Sequence, residues 1–94
     1  MNHLTEIVID RLEEKGVPPV GIPVFISDVA NTISADPHRS IKEINGRLHS
    51  LGWSFFEMDD YTLQLIIASF EAEGLRGGEY KPIHWFKSIY KANP

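Results

Sequence analysis

The side chains able to do chemistry here are thirteen carboxylates, nine lysines and arginines and four histidines, in a 94-residue chain without cysteine. The missing cysteine removes disulfides, thiolate zinc sites and thiol nucleophiles. The densest acidic run is Glu57-Met58-Asp59-Asp60. An oxygen-ligated cation needs more donors and the glycine of a calcium loop, so helix capping is the chemistry this run supports. His3, His38, His49 and His84 show no paired ligand spacing. The chain also lacks a phosphate loop, a dinucleotide glycine pattern, a nucleophile elbow and a metal-binding helix motif. A chain of this size rarely encloses an enzyme-sized cleft. The expectation is therefore a non-enzyme with no cofactor and no metal.

What remains is binding. A net charge of −4 disfavours broad nucleic-acid affinity, which rests on neutralising phosphates. That charge is unevenly spread. Residues 38–50 hold Arg39, Lys42 and Arg47 against one acid, Glu43, a local +2. Such a dipolar distribution suits oriented docking on an anion.

The elements that would carry these groups follow from periodicity. Over 2–15, Leu4, Ile7, Val8 and Leu12 recur at helical spacing, with Glu6, Asp10, Glu13 and Glu14 mostly elsewhere. Asn2 or Thr5 can cap this helix, and Gly16 followed by Pro18-Pro19 stops it. VPPVGIP, residues 17–23, reads as a stiff extended connector. A second helix over 23–34 opens with Pro23 in its first turn and buries Phe25, Ile26, Val29, Ala30 and Ile33. The third has two overlapping start signals, Asp36-Pro37 and the capping box Ser40-Ile41-Lys42-Glu43. It turns Ile41, Ile44, Leu48 and Leu51 inward. Gly52 suits a left-handed C-terminal cap with Trp53 folding back on it. Trp53 is read as core, so Trp53→Ala should cost about 3–5 kcal/mol.

Residues 54–74 admit two readings. As a helix, Asp59 or Asp60 caps it and Leu63, Ile66, Ile67 and Phe70 form a face. As a hairpin, 53–58 and 61–67 alternate as strands about Asp59-Asp60. The tail Ala68-Ser69-Phe70-Glu71-Ala72-Glu73 favours the helix. Gly74-Leu75 resembles a further C-terminal cap, and Pro82 can open a last helix to about residue 91.

The segment FISDVANTISADPHRSIKEINGRLHSLGW, residues 25–53, resembles the tri-helical core of helix-turn-helix and winged-helix proteins. Ala30 sits where that family often has a small residue in its first motif helix. Ile41, Ile44 and Leu48 match its inward positions on the recognition helix. The turn is longer than the family's usual one and contains no glycine. The resemblance implies a mainly α fold: one small helical domain over 1–94, of about five helices, with a helix-turn-helix-like core and, on the hairpin reading, a short β-hairpin wing. It also implies a second motif helix that lies in the major groove of double-stranded DNA, with Arg39, Lys42, Gly46, Arg47 and His49 on its outer face and flanks. Gly46 would leave a gap at the centre of that face. The plainer account is a solvated face with a tolerated glycine.

The competing class is a protein-interaction module or homodimer. It would use the acidic first helix, the second apolar side of the 54–74 helix (Leu65, Ala68, Ala72) and the aromatic, basic tail with Trp85, Lys87 and Tyr90. That tail could also stack on single strands or lie on a membrane, although so wide an apolar arc usually means docking onto a core. No apolar run approaches a membrane span, and the acidic N-terminus is unlike a signal peptide. The expectation is a cytoplasmic protein.

Overall fold

The computed structural model describes residues 3–35 and 40–72. Among them are four α-helices and no strand: α1 (His3–Glu14), α2 (Ile22–Ala35), α3 (Ile41–Ser50) and α4 (Asp60–Ala72). The chain is thus mainly α, as expected. The expected last helix over 82–91, the cap at Gly74-Leu75 and the Asp36-Pro37 start signal lie outside the described residues.

α2 is the centre of the core because its sequence is the most apolar. Ile22, Phe25, Ile26, Val29, Ala30 and Ile33 are all buried. Around it close Val8 and Leu12 of α1, Ile44 and Leu48 of α3, and Leu63, Ile66 and Phe70 of α4. α2 packs on α3, and α1 packs on α4. Arg11 meets Thr62 while Ile7 and Leu65 line the same hollow, so α1 and α4 run antiparallel.

The helix ends follow local chemistry. Thr5 lies inside α1 and is buried, so it is not the cap. Gly16 has φ +101° and Gly52 has φ +109°, and both close their helices in the same way. Gly16 N–H donates to Glu13 O and Val17 N–H to Leu12 O; Gly52 N–H donates to His49 O and Trp53 N–H to Leu48 O. This is the Schellman pattern, with the apolar pairs Leu12–Val17 and Leu48–Trp53 beneath it. Ser40 caps α3, as its capping-box spacing predicts. Its Oγ accepts from Glu43 N–H at 3.2 Å and donates to Glu43 Oε1 at 3.1 Å.

Three expectations need correction. The proline connector is not wholly extended: Pro19–Gly21 form a 3-10 turn closed by Gly21 N–H on Pro18 O, and α2 follows at once. Proline's fixed φ suits that turn as well as an extended chain. Leu51 does not face inward; it is 41% exposed, because the chain reverses at its position to form the cap. The hairpin wing does not form. α4 starts at Asp60, and residues 53–59 cross between helices without a strand partner.

Trp53 packs against the core but is only partly buried. Its ring meets Phe25 edge-on at 5.1 Å, and Phe25 meets Phe56 at 4.5 Å. The indole N–H donates to Asp28 Oδ2 at 2.7 Å. Phe25→Ala is expected to cost about 3–5 kcal/mol in urea unfolding. Trp53→Ala should cost less than Phe25→Ala, since part of its ring is already in water; an equal loss would show the two rings to be equally central.

Candidate nucleic-acid interface

α3 is ten residues long, and 100° per residue divides it cleanly. Ile44 and Leu48 are buried against α2, whereas Lys42, Glu43, Gly46, Arg47 and Ser50 are exposed. Nothing lies within 4 Å of where a Gly46 Cβ would stand. Lys42 and Arg47 have no ion-pair partner among the described residues. The structure therefore leaves Lys42 and Gly46 on the open face and Arg47 exposed on its flank, with Glu43 between them and tied to Ser40. Arg39 lies outside the described residues, so this face carries two cations and one acid.

His49 has a different place. It is half-buried on the flank of α3, with Nε2 2.7 Å from Phe56 O and 3.2 Å from Glu57 Oε1. Both neighbours are acceptors, so Nε2 is the donor. Beside it, Asn45 makes a paired clasp: its Nδ2 donates to Met58 O at 3.0 Å and its Oδ1 accepts from Met58 N–H at 2.6 Å. Lys15, just past the end of α1, donates to Glu57 O at 3.1 Å. Side chains thus meet Phe56 O, Glu57 O and both polar groups of Met58, where a second strand would otherwise supply partners. Phe56 and Met58 turn into the core as a result.

The acidic run beyond this clasp is a cap and an ion-pair site. Asp59 Oδ2 accepts from Thr62 N–H at 3.2 Å, and Oδ1 accepts from the Thr62 hydroxyl at 2.5 Å. Thr62 in turn accepts from Arg11 Nε at 3.1 Å. Lys15 Nζ stands 3.0 Å and Arg11 Nη2 3.5 Å from the same carboxylate. The Thr62 hydroxyl, followed by Lys15, holds the Asp59 carboxyl well below the usual carboxylate range, against the opposing effect of burial.

Of the residues expected to bind a protein, Leu65 and Ala68 are half-buried on α4, with Leu65 packed against the core; Ala72 is exposed. Trp85, Lys87 and Tyr90 lie outside the described residues. Two features were missed in the sequence. Asn45 is a poor helix former next to an inward Ile44, and that placement was its signal. The other is the open aromatic ring beside Trp53: Phe55 is 53% exposed and its ring lies 6.0 Å from Trp53. The Phe55-Phe56 doublet, which must split between core and water in an extended segment, was the clue.

No family model matches this chain, and comparison with curated proteins and with solved structures found no similar one.

Asn45→Ala leaves both polar groups of Met58 unpaired and should lower stability by about 1–3 kcal/mol in urea unfolding. An unchanged midpoint would remove the clasp from the list of stabilising contacts. Asp59 gives a pH signature. Its folded pKa is depressed, so its contribution is present above the unfolded carboxylate value of 3.8 and is lost as pH falls from there towards the folded value. Unfolding free energy should decline on acidification through that window, and Asp59→Asn should flatten the decline; parallel pH profiles for both proteins would contradict this.

Proposed function

We propose that this domain docks double-stranded DNA through the outer face of α3, in the manner of a helix-turn-helix recognition helix. One observation carries the reading: α3 is held from behind by α2 and from its flank by residues 56–58, while Lys42, Gly46 and Arg47 stand bare. A helix supported on two sides and free on a third is what a major groove admits. Lys42 and Arg47 would contact phosphates or guanine edges, and Gly46 would let the sugar-phosphate backbone come close. His49 then acts as a positioning residue, since its Nε2 is already engaged. A cysteine-free DNA-docking domain suits the reducing cytoplasm.

The test is an amide NMR titration with a short random duplex at low and high salt. The expected result is shifts confined to residues 41–50 that recover as salt rises, with Lys42→Ala and Arg47→Ala each lowering the salt slope by about 1. No shift on α3 would end the reading. Gly46→Ala adds a sharper arm. It should stabilise the fold by about 0.5–1 kcal/mol, since the new methyl meets nothing, yet weaken duplex binding. A more stable protein with unchanged binding would make Gly46 a tolerated glycine.

The second reading is a protein-interaction module. It is favoured by the carboxylates of α1, where Asp10, Glu13 and Glu14 are exposed without an ion-pair partner among the described residues.

A further inference from the structure

Between α1 and α4 lies a surface hollow of about 180 Å³, lined by Ile7, Asp10, Arg11, Glu14, Tyr61 and Leu65. Half-buried Ile7 and Leu65 supply its aliphatic lining, and Tyr61, 60% exposed, its aromatic one. Asp10 and Glu14 are one helical turn apart, so they share a face of α1. Two carboxylates at this spacing repel and weaken the helix that carries them. The cations nearest in sequence do not relieve them. Arg11 is drawn to Asp59 and Thr62, and Lys15 to Asp59 and Glu57 O. The ring already receives one cation, with the Arg11 guanidinium 5.2 Å from the Tyr61 centroid.

We infer that this hollow docks a basic, amphipathic segment of a partner protein, with one lysine or arginine head between Asp10 and Glu14 and its stem against Ile7, Tyr61 and Leu65. Charge complementarity selects that occupant. A cation relieves the Asp10–Glu14 repulsion, whereas a nucleic acid or an anionic lipid surface would add to it. Size agrees, because the hollow has room for a single long side chain rather than a globular element. The inference names the partner chemistry of the protein-interaction reading. It uses no residue of α3, so it stands or falls apart from the duplex proposal.

The experiment is an amide NMR titration of the full chain with a synthetic helical peptide of leucine and lysine. A matched peptide with glutamate in place of lysine serves as control. Shifts are expected at Ile7, Asp10, Glu14, Tyr61 and Leu65 with the lysine peptide and none with the glutamate peptide. The double variant Asp10→Asn/Glu14→Gln should raise Kd at least tenfold and remain folded, since it removes a repulsion. Tyr61→Ala should weaken binding several-fold at high salt as well as low, because it deletes the stem contact. Glu43→Gln, on α3, should leave Kd within twofold. Absence of shifts, an equal loss in Glu43→Gln, or an unchanged Kd in the double variant would each overturn the proposal. Binding of the lysine peptide with shifts at another surface would overturn the hollow while leaving the protein-interaction reading standing.

Discussion

The contact on which the rest of this structure depends is the paired hydrogen bond between the Asn45 side chain and the backbone of Met58. Residues 53–59 carry peptide groups that need partners and have no strand beside them. Asn45 answers by presenting an amide that copies the donor and acceptor of a neighbouring strand. His49 and Lys15 complete the set at Phe56 O and Glu57 O. With the segment fixed, Phe56 and Met58 enter the core and Asp59 arrives at the start of α4. There its carboxylate meets both the Thr62 donors and two cations, Arg11 of α1 and Lys15 just past its end. One side-chain amide thus ties α3 to the segment that delivers Asp59 to α4 and to the cations at the end of α1.

The same network sorts the charges. Arg11 and Lys15, at the end of α1, are turned toward Asp59, so the remainder of that helix shows carboxylates to solvent. Lys42 and Arg47 of α3 keep their charge for solvent. A chain of −4 is in this way given surfaces of unlike sign on different helices, and steering fields arise from such separation rather than from net charge.

Much of the fold was legible in the sequence because its helices obey short-range rules. The apolar spacing of α2, Ser40 with Glu43, and Gly16 and Gly52 each specify an element or its end from within a few residues. The 54–74 ambiguity resolves as its tail favours, with α4 over Asp60–Ala72, but the path of the residues before it was not legible. Asp59 is a good cap, but alternation over 55–58 is equally real: Phe56 and Met58 are buried, Phe55 and Glu57 exposed. In place of a strand partner Met58 has Asn45, thirteen residues away, and no local pattern contains that contact. The site was legible in part for the same reason. Lys42 and Gly46 share the outer face, with Arg47 on its flank, by helical geometry alone, whereas the engagement of His49 by Phe56 and Glu57 needed the path of the following segment.

Sequence separation also ranks these contacts by the loop that each one closes. The clasp spans 13 residues and the Trp53–Asp28 bond spans 25, so α2, α3 and the 53–58 segment form a locally connected unit. The Arg11–Thr62 bond spans 51. Closing α1 onto α4 is therefore the step of greatest loop-closure entropy, and the seam it makes is the one whose opening returns the most freedom to the chain. The hollow lies along that seam. A ligand bound there would bridge two helices and act as a latch across the longest of these loop closures.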